Sequence, residues 1–192
     1  MKAAREISPI DVQWKTFKGV LLFSDLSIYF GAVKKMSLID LAEFLKIYYS
    51  HWRSEIFRQK GEILNMLGDQ IVVSFKAELC GGADPEWCAA LSAFHVLKDL
   101  KKWREDIELS IGINSGETLE GSWEENGTKK YVVAGDLINK TAHLASGKNR
   151  GIIASRNVAE ILGPRVICEK NYMKLLQSGE EETVFRLVSL KL

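Results

Sequence analysis

Several features that assign a chain to a whole class of proteins are missing from this sequence. The 192 residues contain no apolar run long enough to cross a bilayer, and residues 1–11 carry charges without the apolar core of a signal peptide. A net charge of +1 leaves no basic excess of the kind that nucleic-acid binders carry. Three cysteines, an odd number without metal-ligand spacing, indicate reduced thiols. We therefore expect a cytoplasmic protein that binds neither nucleic acid nor membrane.

The stretch that organises the chain is a predicted β-hairpin over residues 61–75. Two short apolar runs, residues 62–67 and 70–75, flank Gly68 and Asp69, and a two-residue connection of this kind is the strongest short signal for a hairpin. The carboxylate of Asp69 then lies at the tip of the turn. Because Asp is common in turns for its own hydrogen bonds, Asp69 by itself indicates nothing more than a turn.

A second aspartate upstream changes that interpretation. Residues 20–23 form an uninterrupted apolar run, typical of a strand buried on both faces, and the run ends at Ser24 and Asp25. If this strand lies beside the hairpin, Asp25 and Asp69 meet at one edge of the sheet. Two carboxylates at close range repel each other, and a divalent metal ion would remove that repulsion. The pair is therefore a candidate metal site.

Two long amphipathic helices are predicted from apolar residues that recur at steps of three and four. The first covers residues 38–59 and is expected to end at a glycine cap, Gly61. The second follows Asp84 as its cap, with Pro85 in the first helical position. Each helix is long enough to cover part of a sheet.

The strand after the second helix is expected at residues 109–117, interrupted by Gly112. Glycine inside a strand marks a bulge or a close approach of backbone. A returning strand is expected from Leu119, followed by a polar loop at residues 124–130. The order strand, helix, hairpin, helix, strand predicts a mixed α/β (α+β) fold: a ferredoxin-like βαββαβ unit with an antiparallel-rich central sheet flanked by helices.

A second group of polar residues follows a short strand predicted at residues 131–133. Asp136 is expected to cap a helix that begins at Leu137. On that helix Asn139 and His143 are four residues apart and therefore share a face. Such side chains can hydrogen-bond a sugar or phosphate oxygen, and a polar helix face with nothing bound is the alternative.

Four motifs, in this order, resemble those of the class III nucleotidyl cyclases, the family of adenylate and guanylate cyclases. They are FSD at residues 23–25, GEILNMLGD at 61–69, IGINSGE at 111–117 and YVVAGDLIN at 131–139, and the likeness continues to about residue 160. Four ordered motifs agree by chance far less often than one does. The resemblance implies a cyclase catalytic domain at residues 19–192 after an N-terminal lead-in at residues 1–18.

The resemblance also implies two-metal chemistry in a homodimer with active sites at its interface. Asp25 and Asp69 would bind two divalent ions, Mn²⁺ or Mg²⁺, and Asn139 of the partner subunit would position the ribose. A nucleoside triphosphate would then cyclise to a 3′,5′-cyclic monophosphate with loss of pyrophosphate. The residues implied to contact the triphosphate are Lys129, Lys130 and Lys174.

Three positions depart from the family's pattern. Asn65 stands at the first base-reading position, where purine-using members have Lys or Glu. Val132 stands at the second, where they have Asp, Thr or Cys. His143 stands where the family has an arginine that stabilises the transition state. His143 in its protonated form is one candidate for the missing charge. The others are Lys129, Lys130, Lys140 and Arg150.

The two base-reading positions match neither adenine nor guanine. Asparagine offers a donor and an acceptor, whereas valine offers neither, and this pattern favours uracil or cytosine. In this respect the chain is similar to the stand-alone bacterial pyrimidine cyclases of anti-phage signalling, which make cyclic UMP or cyclic CMP. The alternative is a catalytically degenerate pseudo-cyclase that binds nucleotide or regulates a partner as a dimeric module.

Overall fold

The computed structural model describes residues 10–26, 36–146, 150–174 and 181–191, with the side chain of Lys174 excluded. Within these ranges it has eight strands and four α-helices. They are β1 (Gln13–Leu26), α1 (Leu38–Arg58), β2 (Glu62–Leu67), β3 (Gln70–Lys76), α2 (Pro85–Trp103), β4 (Leu109–Glu125), β5 (Thr128–Ala134), α3 (Asp136–Leu144), β6 (Gly151–Ser155), α4 (Arg156–Leu162), β7 (Val166–Lys174) and β8 (Glu181–Leu190). None of the described helices is long and apolar enough to cross a membrane.

The strands form one mostly antiparallel sheet in the order β2-β3-β1-β4-β6-β8-β7, with β5 paired to β4 outside this path. Only β4 and β6 pair in parallel among the described strands. The first four strands and two helices make a βαββαβ unit with the sheet order β2-β3-β1-β4, which is the ferredoxin-like arrangement. The predicted fold class, a mixed α and β domain with an antiparallel-rich sheet flanked by helices, is confirmed.

The two faces of the sheet carry different layers. Helices α1 and α2 cover one face, where the main core includes Val20, Leu22, Trp52, Ile71 and Val73. Helix α3 packs on the other face, where a smaller cluster includes Phe17, Leu21 and Leu137. Because side chains alternate along a strand, this alternation places Asp25 on the α3 face of β1.

The break that the sequence predicts in the middle of β4 is wrong. The strand passes through Gly112 and Gly116 without interruption and pairs with β1 along its length. Of the two meanings that the sequence allows for Gly112, a bulge or a close approach of backbone, the structure shows the second: a Cβ atom built there would lie 2.7 Å from Leu144 Cβ and 2.8 Å from the backbone nitrogen of Ala145. A glycine is needed at this point so that the helix can contact the sheet.

The reversal after β4 is a tight turn and not the predicted polar loop at residues 124–130. It occurs at Asn126 and Gly127, whose φ angles of 51° and 72° are those of a type I′ hairpin turn. Asn-Gly is the usual sequence for this turn, so the signal was present in the sequence. Lys129 and Lys130 consequently lie on β5 and not in a loop.

Two further boundaries differ from the predictions. Strand β1 begins at Gln13 and not at residue 19, so part of the expected lead-in is strand. After α1, Lys60 and not Gly61 adopts the left-handed conformation, with a φ of 58°. Gly61 is required for another reason, since a Cβ atom there would lie 2.6 Å from the Phe75 ring.

A buried ion cluster joins β2, β3 and β4. Lys76 Nζ lies 2.8 Å from Glu120 Oε2 and 2.7 Å from Glu62 Oε2, and the side chains of Lys76 and Glu120 are each 6% exposed. Burial acts to lower the pKa of Lys76, but its two carboxylate partners raise it overall. Burial acts to raise the pKa of Glu120, but Lys76 and Lys15 lower it overall. Lys76 also lies 5.0 Å from the centre of the Phe17 ring.

We expect Lys76→Met to lower the free energy of unfolding by about 3 kcal/mol at pH 7, because it leaves Glu120 buried without its main partner. The pKa of Glu120 is lower in the folded state than its ordinary value of 4.5. The stabilisation by the pair is therefore complete above that ordinary value and is lost as the pH falls through the lower, folded-state pKa. Urea denaturation at pH 7 and at pH 3 measures the free energy of unfolding of both proteins. The difference in this free energy between Lys76→Met and wild type should be smaller at pH 3 than at pH 7.

The double variant Lys76→Met/Glu120→Leu is the control for this prediction. It removes both charges from the buried site, so we expect it to recover most of the stability that the single variant loses. A Lys76→Met protein as stable as wild type at pH 7 would contradict the assignment of the cluster as a stabilising element.

Candidate active site

The turn between β2 and β3 carries Asp69 at its tip, as the sequence predicts. Gly68 has a φ of 60°, and Asp69 is not among the residues with positive φ, a combination typical of a type II′ turn. Two consecutive tyrosines of α1 hold the turn. Tyr48 donates a hydrogen bond to the Asp69 carbonyl at 3.0 Å, and the Tyr49 hydroxyl donates to the Gly68 carbonyl. The turn is thereby fixed against the main core.

Asp25 and Asp69 come together at this end of the sheet. Gln70, which follows Asp69, donates from Nε2 to Asp25 Oδ2 at 3.1 Å. Burial raises the pKa of Asp69 and the negative charge of Asp25 adds to the increase, whereas hydrogen bonds from the backbone N–H groups of Asp69 and Leu26 oppose it. The charge of Asp25 therefore reaches Asp69, and the two carboxylates lie at one end of the sheet, as two separate motifs of the sequence predict.

This pair of carboxylates fits a hard divalent cation. Carboxylate oxygens are the ligands that Mg²⁺ and Mn²⁺ prefer. A cation would stabilise the ionised form of Asp69, whose pKa is raised by burial and then by the charge of Asp25. Within the described ranges, no cluster of three or more His, Cys, Asp or Glu side chains suited to a metal is found. The remaining coordination positions would be left to backbone oxygens, water or the phosphates of a bound nucleotide.

A second feature is a pocket of about 280 Å³ between the hairpin, β5 and α3. Its lining residues are Leu64, Asn65, Val72, Tyr131, Val132, Val133 and Ile138. Asn65 and Val132, which the sequence places at two base-reading positions in separate motifs, thus line the same pocket. Most of the lining is aliphatic, and the side chains of Asn65 and Tyr131 are its polar exceptions.

A β-bulge in β2 determines which way Asn65 faces. The pairing of β2 with β3 passes from Ile63 opposite Val73 to Asn65 opposite Val72, so Leu64 is an extra residue. Ile63 packs against the main core while Leu64 packs against the smaller cluster under α3. The bulge therefore turns two consecutive side chains, Leu64 and Asn65, toward the pocket. No local sequence signal predicts it.

Helix α3 presents the other two predicted residues. The helix is capped by Gly135, with a φ of 125°, and Asp136 is its first residue, so the prediction of Asp136 as the cap is wrong by one position. Asn139 is exposed and His143 is half-buried. Both lie on one face of the helix, as their spacing predicts. Neither residue lines the pocket that contains Asn65.

The basic residues predicted to contact a triphosphate lie on two strands. Lys129 and Lys130 are exposed near the start of β5, and Lys129 Nζ lies 5.3 Å from the centre of the Tyr131 ring. Lys174 is the last residue of β7, with its side chain outside the described part of the chain. The structure therefore places Lys129 beside a wall of the pocket and does not test the position of the Lys174 ammonium group.

The two other cations considered for the missing arginine are engaged with carboxylates. Lys140 Nζ lies 2.9 Å from Asp136 Oδ2 on the same helix, and Arg150 donates to Glu108 Oε1 at 2.7 Å. A phosphate would have to compete with these ion pairs. His143, Lys129 and Lys130 are the other predicted candidates for meeting phosphate charge.

The match to a known family covers almost the whole described fold. A sequence model of the adenylate and guanylate cyclase catalytic domain matches residues 13–186. The chain belongs to this family. The predicted membership of the class III cyclases is thereby confirmed, and the pyrimidine-specific subgroup stays a prediction.

Individual cyclases are similar at low identity. The photoactivated adenylate cyclase subunit alpha-like protein FB of Euglena gracilis is 23% identical over 175 residues, which is 84% of this chain and 16% of that protein. The chain therefore spans about one sixth of the length of this curated relative, and the photoactivated adenylate cyclase subunit alpha of the same organism gives the same figures.

Solved cyclase domains share the fold. The adenylyl cyclase CyaB of P. aeruginosa superposes with a TM-score of 0.82 at 18% identity, covering 93% of this chain and 97% of that one. The guanylate cyclase domain of RhGC from Catenaria anguillulae, solved in complex with GTP, gives a TM-score of 0.80 at 18% identity over 92% and 100% of the two chains. At these identities the likeness establishes the architecture of a cyclase domain.

Proposed function

We propose that this cyclase domain converts a nucleoside triphosphate to a 3′,5′-cyclic nucleoside monophosphate and pyrophosphate. The observation that carries the proposal is the meeting of Asp25 and Asp69 at one end of the sheet, where burial and mutual charge raise the pKa of Asp69. A pair of carboxylates in this state is suited to binding cations. Membership of the cyclase family supports the same function.

Asp25 and Asp69 would hold two divalent ions, Mn²⁺ or Mg²⁺. When bound, such ions favour loss of the proton from the ribose 3′-hydroxyl and offset the charge of the triphosphate. The chain's own contribution is to fix the two carboxylates: Gln70 orients Asp25 through a hydrogen bond of 3.1 Å, and the backbone N–H of Leu26 binds Asp69. The 3′-oxygen would then attack the α-phosphorus in line, and pyrophosphate would leave.

A second copy of the chain would complete the site. Asn139 is exposed and makes no side-chain hydrogen bond within the described part of the chain, so it is available to a ligand held by another protomer. In the proposed homodimer, Asn139 of the partner subunit positions the ribose. His143 and the lysines Lys129, Lys130 and Lys174 then face the phosphates.

The pocket lined by Asn65 and Val132 is the proposed base site, and its chemistry supports a pyrimidine. Uracil and cytosine each present one donor and one acceptor side by side, as adenine and guanine do, and the amide of Asn65 can match such a pair by rotation. The preference for a pyrimidine therefore depends on Val132. Val132 offers no hydrogen bond to a second edge of a purine. The proposed product is therefore cyclic UMP or cyclic CMP. The anti-phage role that accompanies such products in similar cyclases stays a prediction.

One observation favours a second candidate function. His143 stands in place of the family's arginine, and loss of a cation that meets developing phosphate charge costs about 10²–10³ in rate. A domain with this loss can retain nucleotide binding without turnover. The alternative is therefore a pseudo-cyclase that acts as a dimeric, nucleotide-binding regulator.

Incubation of the purified protein with each of the four ribonucleoside triphosphates, in Mn²⁺ and separately in Mg²⁺, tests these alternatives. Mass spectrometry of the products should show a cyclic monophosphate from UTP or CTP. A product from ATP or GTP alone would contradict the pyrimidine assignment but keep the cyclase. No product from any of the four, with nucleotide binding intact, would favour the pseudo-cyclase.

A further inference from the structure

The hydroxyl group of Tyr48 connects the end of β1 with the turn between β2 and β3. Tyr48 is fully buried in the main core. Its Oη lies 3.3 Å from Ser24 Oγ and donates to the Asp69 carbonyl oxygen at 3.0 Å. Because a phenol has one proton to donate, the bond to Asp69 uses it, and Ser24 must be the donor in the other bond. The chain of donation therefore runs from Ser24 through Tyr48 to Asp69.

The pairing between β1 and β3 ends before Asp25 and Asp69. The pairing of β1 with β3 ends with Ser24 opposite Ile71. Asp25 and the turn residue Asp69 therefore both lie beyond the last β1–β3 pair, in a position where a turn moves more than the strands that it joins. The Ser24–Tyr48–Asp69 chain of hydrogen bonds crosses this gap on the side of the sheet that α1 covers.

The surroundings of Tyr48 keep its hydroxyl protonated. Burial raises the pKa of Tyr48; the hydrogen bond with Ser24 lowers it, and the negative charges of Asp69 and Asp25 raise it again. With its pKa raised, the hydroxyl is protonated at neutral pH and can donate. The charges of both carboxylates reach it.

We propose that Tyr48 is a positioning residue that sets the separation of Asp25 and Asp69 for metal binding. The inference rests on the proposed function, since it concerns the proposed metal pair. Ser24 directly precedes Asp25, and the bonded carbonyl belongs to Asp69 itself, so the two hydrogen bonds hold the points from which the two carboxylates project. Without the hydroxyl, the turn loses one hydrogen bond that holds it, and the repulsion between the two carboxylates can then move them apart.

The test is a titration of Mn²⁺ against the full chain without nucleotide, with free Mn²⁺ followed by electron paramagnetic resonance. Tyr48→Phe keeps the ring that fills the core and removes only the hydroxyl. We expect the Mn²⁺ dissociation constant to rise about tenfold in this variant, as for the loss of other groups that orient metal ligands. In the turnover assay, kcat should fall while the KM for the nucleotide changes little.

Two variants separate positioning from a general loss of stability. Val96→Ala shortens a buried side chain of α2 in the same core, so it should lower the unfolding temperature at least as much as Tyr48→Phe and leave Mn²⁺ affinity unchanged. Ser24→Ala removes the other end of the hydrogen-bond chain and should weaken Mn²⁺ binding in the same way. The double variant Ser24→Ala/Tyr48→Phe should be no weaker than Tyr48→Phe alone, because the two act through one connection.

Equal Mn²⁺ affinity in wild type and Tyr48→Phe would overturn the role of Tyr48 while leaving the proposed function intact. An equally large loss of Mn²⁺ affinity in Val96→Ala would also overturn the role of Tyr48, since a loss of stability alone would then explain the result. Absence of Mn²⁺ binding in wild type, with or without nucleotide, would overturn both the role of Tyr48 and the proposed metal pair.

Discussion

Replacement of Asp25 or Asp69 by alanine is expected to reduce cyclic nucleotide formation about a thousandfold in each case. Each substitution removes one of the two carboxylates that the structure brings together, and the remaining one cannot hold two cations. Product formation is measured by mass spectrometry at saturating Mn²⁺. Both substitutions remove a charge from a site where burial, and then the charge of Asp25, raise the pKa of Asp69, so the metal-free variants should unfold at the same temperature as wild type or higher.

A matched control for these variants is Asp99→Ala. Asp99 is a partly exposed carboxylate on α2 whose ammonium partner, Lys102 Nζ, lies 3.5 Å away, and exposed pairs of this kind contribute little. We expect its activity to stay within about twofold of wild type. Undiminished product yield in both Asp25→Ala and Asp69→Ala would show that these carboxylates do not hold the catalytic metals.

Replacement of Asn65 is the second change with a large expected effect. Asn65→Leu keeps a side chain of similar size and removes an amide from the lining of the pocket. We expect kcat/KM for the preferred pyrimidine triphosphate to fall about a hundredfold, since a site that hydrogen-bonds its substrate depends strongly on that bond. The measurement is a competition among the four triphosphates, with the cyclic products quantified together.

Asn171→Leu, on β7 at the edge of the sheet, is the control for the base-site variant and should leave both rate and base preference unchanged. A base preference that is the same in Asn65→Leu and wild type would show that the pocket of Asn65 and Val132 does not bind the base. Loss of activity with all four triphosphates in equal measure would likewise argue for a structural effect and not for base recognition.

The positions of the two aspartates could be predicted because each follows a local pattern. Asp25 ends an apolar run that makes a buried strand, and Asp69 lies in a two-residue hairpin turn. The order of strands and helices then fixes which strands are neighbours, so the pair at one end of the sheet follows from the topology. The helices were predicted for the same reason, since their apolar stripes are periodic.

Other features of the site depend on contacts between distant segments. The bulge at Leu64 depends on how β2 packs between two clusters, and no residue type marks it. Tyr48 belongs to an ordinary apolar helix stripe in the sequence, and only the structure shows that its hydroxyl meets Ser24 and Asp69. The length of β4 is a different case, because the Asn-Gly turn that ends the strand is a local sequence signal, whereas glycines inside a strand do not by themselves mark its end.

In the proposed homodimer, the catalytic site is shared between two copies of the chain. Asp69→Ala and Asn139→Ala are each expected to be nearly inactive alone, because both sites of a symmetric dimer then lack the replaced side chain. In an equal mixture that has exchanged subunits, half of the dimers contain one copy of each variant, and one of their two sites has both halves intact.

Mixing the two inactive variants and measuring cyclic nucleotide formation is therefore the most direct test. We predict recovery to about a quarter of wild-type activity once subunits have exchanged, with mixed dimers verified by native mass spectrometry. As controls, Asp69→Ala alone and Asn139→Ala alone are taken through the same mixing procedure, and both should stay inactive. Mixed dimers without any recovery of activity would contradict a site built from Asp69 of one copy and Asn139 of the other.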